Sequence, residues 1–366
     1  MTPARVLLVG HNPVLADRLG KVLRAAAGIE LVEEVFPQAK VLAAVRSLGP
    51  DAVLLDLQAL TPPVDAFLTG LLEGSTVAII AVLPPGDQDL PAALFRALGA
   101  GRLDLVRPPV DRSPESAEKW DRALVDLTRA IARPRSTNLA RPLPLGPGPA
   151  PRQHRAQMIG IASSTGGPPA LHRILAALPA DLPVPLLLAQ HITPGFVAGL
   201  QRWLTTVTPL ELVVAQSGMD PLPGRVYLAP DRCDLGLGPE RHLRVRPSPG
   251  IHSPSGDHLL LSMAEVLGAG AAGVVLTGMG DDGAQGLLAI HRAGGGTLAQ
   301  DEGTSIIFGM PKAAIEAGGA GQVVPLGEMA AAICALAGHP APAPRVPPWA
   351  GSLPAARSSM KADDER

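Results

Sequence analysis

Two α/β domains in tandem, each a doubly wound parallel sheet, are what this sequence predicts. Three observations predict them. Short β-branched runs alternate with amphipathic helical segments in the first third of the 366 residues. The same alternation restarts after residue 157, and between the two lies a Pro-rich stretch without periodicity. Hydrophobic residues make up 46% of the chain, enough to give each domain a core.

In the first domain, residues 1–132, five strands are expected at Val6–Val9, Glu30–Val35, Ala52–Leu55, Val77–Val82 and Asp104–Val106. Amphipathic segments such as Val14–Ala26 and Leu42–Leu48 separate them, which implies parallel βαβ units. Ser113 followed by Pro114 reads as an N-cap and first-turn pair opening a last helix that ends near Ala132. Residues 133–157, R-P-R-S-T-N-L-A-R-P-L-P-L-G-P-G-P-A-P-R-Q-H-R-A-Q, form a Pro/Arg-rich linker.

The second domain, residues 158–337, offers seven candidate strands: Met158–Ala162, Pro185–Ala189, Leu210–Ala215, Arg225–Ala229, Gly273–Thr277, Gly296–Ala299 and Gln322–Val324. Residues 338–366 are Pro-, Ser- and charge-rich and read as a disordered tail. Charge is nearly balanced, 31 basic against 33 acidic, and only 2% of residues are aromatic, so neither nucleic acid nor an anionic membrane is an expected partner. The two cysteines, Cys233 and Cys334, have no metal-knuckle spacing and fit a reducing compartment. No apolar stretch is long enough for a leader or a membrane span, and the expectation is a cytoplasmic protein without membrane insertion.

Chemistry is concentrated where strands of the second domain run into glycines. I-G-I-A-S-S-T-G-G-P-P-A, residues 159–170, places Ser163 and Ser164 at such an end. A phosphate loop is excluded because Pro168 and Pro169 stand where Lys and Ser or Thr would be, and the spacing of Gly160 and Gly166 fails the dinucleotide fingerprint. Two readings remain open: serines that cap the following helix, or a nucleophile beside backbone N–H groups suited to an oxyanion. A nucleophilic serine needs a base and an orienting acid. His191, in L-L-L-A-Q-H-I-T-P-G-F, follows an apolar strand; a lone histidine there also fits a structural role. Asp281 and Asp282, in G-V-V-L-T-G-M-G-D-D-G, follow another strand and could equally hold Mg²⁺ or cap a helix. In a doubly wound sheet all three strand ends share one rim.

The ordered set S-T-G-G-P-P-A-L, A-Q-H-I-T-P-G-F, P-L-P-G-R-V-Y-L-A-P, L-T-G-M-G-D-D-G-A-Q-G-L and F-G-M-P-K-A-A-I resembles the catalytic domain of chemotaxis-type protein-glutamate methylesterases, the CheB family. The resemblance spans roughly Met158 to Ala337 and implies a flavodoxin-like receiver followed by a Rossmann-like methylesterase domain. It also implies hydrolysis of γ-glutamyl methyl esters on a methyl-accepting chemoreceptor, with deamidation of receptor glutamines as a companion activity. By motif position the nucleophile falls on Ser164, the base on His191 and the orienting acid on Asp282, with Asp281 at a variable place. Thr165 and Met279 supply the candidate oxyanion-hole N–H groups. No metal or cofactor is implied; a histidine kinase or other chemosensory proteins are further expected partners. Two other readings remain: a catalytically silent chemosensory scaffold, and a serine hydrolase of another ester or amide.

Departures from the family pattern are specific. Ala162 and Ser163 stand where Gly-Ala is usual, Cys233 where His is frequent, and Gly256 interrupts the usual P-S-V-D. The first domain resembles a response-regulator receiver in which D-A-V-L-L-D leads to a phosphoacceptor at Asp56. Its Mg²⁺-binding acids are replaced by Gly10 and His11, its hydroxyl residue by Val82, and its lysine by Pro108 with Arg107 adjacent. The expectation is a domain not phosphorylated in the usual way, acting as a dock or a fixed lid, with Asp56 free to serve as a local cap.

Overall fold

The computed structural model describes residues 2–10, 12–35, 38–60, 64–83, 94, 103–106, 108, 113–132, 155–249 and 253–340. Of the sequence expectations, His11, Arg107, most of the linker and the tail beyond residue 340 lie outside the described residues.

The first domain carries β1 (Ala4–Val9), β2 (Ile29–Val35), β3 (Ala52–Asp56), β4 (Ala78–Val82) and β5 (Leu103–Val106) in the order β2-β1-β3-β4-β5. Every ladder is parallel. Side chains alternate across this sheet and build two cores. Val6, Leu8, Leu54 and Ile80 meet Leu19 and Leu23 of α1 (Pro13–Ala25) and Leu124 and Leu127 of α4 (Pro114–Ile131). On the other face Leu7, Val9, Val53 and Ile79 meet Val41 and Val45 of α2 (Val41–Leu48) and Leu68 and Leu71 of α3 (Val64–Gly74). A strand buried on both faces must be apolar at consecutive positions, which is why A-V-L-L reads as an unbroken run. The expected cap is in place: Ser113 Oγ accepts the Ser116 N–H at 3.2 Å.

The second domain contains β6 (Met158–Ser163), β7 (Leu186–Gln190), β8 (Glu211–Val214), β9 (Arg225–Leu228), β12 (Ala271–Val275), β13 (Gly296–Gln300) and β14 (Gln322–Val324). They form one sheet in the order β14-β13-β12-β6-β7-β9-β8, again with parallel ladders. After β6 the chain moves to β7 on one side and later returns as β12 on the other. The switch point of the sheet therefore lies at β6, between β7 and β12. Helices α5 (Gly167–Ala177), α6 (Val197–Thr205), α7 (Gly256–Leu267), α8 (Ala284–Arg292), α9 (Met310–Glu316) and α10 (Met329–Leu336) complete the domain.

Three features depart from the sequence reading. An antiparallel hairpin, β10 (Cys233–Leu237) with β11 (Leu243–Pro247), stands apart from the main sheet and was not expected. Its strands do alternate Leu235/Leu237 and Leu243/Val245, but Gly236 and three arginines dilute the pattern. Thr277 falls outside β12, because its N–H leaves the ladder for Gln300 Oε1 at 2.9 Å. Ala156 and Gln157 already hydrogen-bond to Leu336 and Gly270 of the second domain.

The domains touch through apolar side chains from the second sheet's rim. Phe196, 1% exposed, joins the first domain's core cluster that includes Leu83, Leu94 and Leu103, with Ile192 and Trp203 against it. Ile307 packs on the opposite core. No helix among the described residues is long and apolar enough to cross a membrane.

Candidate active site at the switch point

Ser163 and Ser164 end β6 but face different surroundings. Ser163 is 1% exposed, and its hydroxyl donates to Gln190 Oε1 at 2.7 Å on the buried side. Ser164 is partly exposed; its N–H donates to the Thr277 carbonyl at 3.1 Å, and its carbonyl accepts from the Gly167 N–H at 2.8 Å. Neither serine caps the helix. The N-cap of α5 is Gly166, at φ 76°, without a side-chain hydrogen bond. That left-handed turn is open to glycine at little cost and swings the chain from strand to helix within three residues. The helix-cap reading of the serines is corrected accordingly.

His191 follows β7, the neighbouring strand, and its N–H donates to the Ser163 carbonyl at 2.8 Å. Its Nε2 lies 2.6 Å from Asp282 Oδ2, with both side chains largely buried, 10% and 13% exposed. The loop after His191 is anchored where Gly195 donates to Asp231 Oδ1 at 2.9 Å.

Asp282 follows β12 on the other side of β6. It does not cap the next helix, whose N-cap is Gly283 with no side-chain bond. Its carboxylate lies instead on the N-terminus of α7: Oδ2 accepts from the Gly256 N–H at 2.6 Å, and Oδ1 accepts from the Asp257 N–H at 2.9 Å and Ser255 Oγ at 3.1 Å. A helix start is a favourable seat for an anion. Burial pushes the Asp282 carboxyl up, but the hydrogen bond and charge of His191, then the two N–H groups, outweigh it and hold it at about 2. Asp281 is exposed, so the adjacent aspartates separate cleanly. Burial, reinforced by the Asp282 charge, raises the neighbouring Asp257 carboxyl, against the pull of N–H donors led by Gly286.

Thr165 and Met279 lie on the two loops that flank Ser164. Among the described residues, no protein acceptor meets either N–H, whereas the N–H groups of Ser164, Gly278 and Met310 are all engaged. Sequence reasoning missed Gln190, Ser255, Asp231, Thr277 and Gln300, which hold the loops. Gln190 was visible inside A-Q-H, and Ser255 inside P-S-G-D before an apolar run, the pattern of an N-cap. Cys233 opens β10, away from the seven-stranded sheet.

The departures at residues 162 and 256 meet in space. A Cβ built on Gly256 would lie 2.6 Å from the Ala162 Cβ, closer than two carbons can approach. The methyl gained at one position occupies the room left by the side chain missing at the other.

At the corresponding rim of the first domain, Asp56 ends β3 and is 1% exposed. Its Oδ1 accepts the Gln58 N–H at 3.0 Å and caps a short 3₁₀ turn, while its buried Oδ2 has no partner among the described residues. An orphaned carboxylate oxygen suits a cation, but Gly10 and Val82 supply no second anionic donor. Among the described residues no three His, Cys, Asp or Glu side chains converge. Among the described residues, then, the donor set does not fit Mg²⁺.

Residues 159–333 match the family model described as CheB methylesterase. A protein-glutamate methylesterase/protein-glutamine glutaminase 3 of Myxococcus xanthus (strain DK1622) is 40% identical over 336 residues, covering 89% of this chain and 92% of the relative. A protein of the same name from Anaeromyxobacter dehalogenans (strain 2CP-C) is 39% identical over 326 residues, covering 86% and 93%. Among solved structures, the Thermotoga maritima CheB methylesterase catalytic domain matches with TM-score 0.47 and 35% identity, over 50% of this chain and 98% of that one. With two curated relatives near 40% identity along almost their whole length, this chain belongs to the CheB methylesterase family.

Proposed function

We propose that the protein hydrolyses γ-glutamyl methyl esters on a chemoreceptor, releasing methanol, with Ser164 as nucleophile, His191 as base and Asp282 as the acid that orients it. The observation that carries this reading is the 2.6 Å contact between His191 and Asp282 on the two strands flanking the one that ends in Ser164. With Nε2 facing the carboxylate, Asp282 keeps a proton on that nitrogen, and Nδ1 takes the proton of Ser164 as its oxygen attacks the ester carbonyl. The tetrahedral oxyanion draws on the N–H groups of Thr165 and Met279. Collapse expels methanol, protonated by His191, and water then releases the glutamate by the same route in reverse. A glutamine side chain enters the same sequence and leaves ammonia. Relatives carrying both names support that second activity.

The buried position of Ser163, its hydroxyl directed at Gln190, supports Ser164 as the nucleophile. The test is methanol release from methylated receptor. Ser164→Ala is expected to abolish it; retained release would sink the reading. Loss of release from receptor with turnover of a small ester would favour a hydrolase of another substrate. The first domain is proposed to rest on the rim as a lid, through Phe196 and Ile307, without a phosphoryl switch.

A further inference from the structure

Gln190 ends β7 and is 1% exposed, yet all its polar atoms are engaged. Its Nε2 donates to the Ser164 carbonyl at 2.9 Å and to the His191 carbonyl at 2.7 Å, and its Oε1 accepts from Ser163 Oγ at 2.7 Å. Two carbonyl acceptors on one side force the NH₂ group to face them, so the orientation of the amide is not in doubt. Gly167 leaves room for it: a Cβ there would lie 2.0 Å from Oε1.

In a trans peptide the C=O of one residue and the N–H of the next point in opposite directions. The Ser164 carbonyl is held by two donors, Gln190 Nε2 and the Gly167 N–H, so the Thr165 N–H must face the other way. The Gly278 carbonyl is held in the same manner by the Gly309 and Met310 N–H groups at 3.1 and 2.9 Å, which turns the Met279 N–H outward. Backbone N–H groups at a helix start hold both peptides, and the Ser164 carbonyl is held by the Gln190 side chain besides.

We infer that Gln190 is a positioning residue for the oxyanion hole: its amide, oriented by the Ser163 hydroxyl, holds the Ser164 carbonyl inward and aims the Thr165 N–H at the reacting centre. This rests on the ester-hydrolase reading above. Ser163, where the family pattern has alanine, then supplies the acceptor oxygen of the amide with its only donor among the described residues.

An oxyanion donor acts in the transition state, so its misalignment lowers kcat and leaves KM in place. Gln190→Met keeps the length of the side chain and removes every hydrogen bond. With methylated receptor and active sites counted by fluorophosphonate titration, kcat is expected to fall about tenfold or more with KM within about twofold. A trifluoromethyl ketone analogue of the glutamyl ester, which becomes an oxyanion on Ser164, should lose affinity in proportion. Ser163→Ala should lower kcat about two- to fivefold with the same signature. Unchanged kcat in Gln190→Met, or a fall in kcat without weaker analogue binding, overturns the inference. Should Gln190→Met not fold, wild-type kcat and analogue affinity in Ser163→Ala overturn it alone. Ser164→Ala is run alongside: turnover there removes the hydrolase reading itself, whereas an inactive Ser164→Ala with a fully active Gln190→Met removes only the clamp.

Discussion

The two parallel sheets of this molecule each bring an aspartate to the carboxyl end of a central strand, and the two aspartates have opposite fates. Asp282 has a donor for every lone pair that faces the protein: His191, Ser255 and two N–H groups of α7. Among the described residues, Asp56 has one N–H donor on Oδ1 and nothing on Oδ2. Topology delivers both to a rim, but only the neighbours decide whether a carboxylate there can work.

Asp282→Asn strikes the satisfied side of that comparison and should have the largest effect. An amide cannot accept from His191, Gly256 and Asp257 at once, so the imidazole loses its preferred tautomer. Turnover of methylated receptor is expected to drop about a thousandfold or more. The carboxylate also links stability to pH. Its folded value of about 2 lies below the ordinary 3.8, so its charge stabilises the fold above about pH 4 and that stability is lost as pH falls toward 2. The contribution is about 2 kcal/mol at neutral pH. Acid unfolding of the wild type should show this loss between pH 4 and 2, and Asp282→Asn should not. Equal acid profiles would show that the carboxylate is no better held than Asp56.

A smaller effect is expected where the seat of Asp282 is built. Gly256→Val drives a side chain into the Ala162 methyl and displaces the N–H that binds Asp282 Oδ2. Overpacking of this kind costs about 1–3 kcal/mol, and activity should fall with it. Adding Ala162→Gly should restore most of both, short of the few tenths to 1 kcal/mol that glycine costs within a strand. Thermal melts and receptor turnover of the two single variants and the double variant measure the coupling. Additive losses would mean that the two departures are unrelated.

Much of this was legible in the sequence, and the limits have physical reasons. All twelve strands of the two parallel sheets carry enough β-branched or leucine-rich sequence to be placed within a few residues, the central ones because strands covered on both faces must be apolar throughout. That Ser164, His191 and Asp282 lie on one rim was legible because strand ends next to glycines are where polar side chains can reach a cleft. What holds them was not. Gln190 meets Ser163 across 27 positions and Ser255 meets Asp282 across another 27, and no local period encodes such contacts. The α7 seat of Asp282 was hidden for the same reason: local reading assigns an aspartate before a helix to that helix. The contact between Ala162 and Gly256 likewise turned two separate departures into one only once the chain was folded.

The smallest effect is expected at Asp56, the unsatisfied side. Asp56→Asn keeps an oxygen for the Gln58 N–H and puts an NH₂ group where the second oxygen meets no partner among the described residues. An orphaned buried polar atom costs about 1–3 kcal/mol in either form, so the variant should melt near the wild-type temperature. Methylesterase activity of the full chain should be unchanged, because no step at Ser164 draws on that rim. A small phosphodonor with Mg²⁺ should leave wild type and variant equally unlabelled and equally active. Stoichiometric labelling of the wild type alone, with a jump in turnover, would restore the phosphoryl switch and erase the distinction between the two rims. The expectation rests on the donor set: Gly10 and Val82 bring neither charge nor hydroxyl to Asp56, and no three His, Cys, Asp or Glu side chains converge among the described residues. The contact that keeps the domains together is apolar, centred on Phe196 in the first domain's core cluster. Its strength is set by buried area and not by the charge on Asp56.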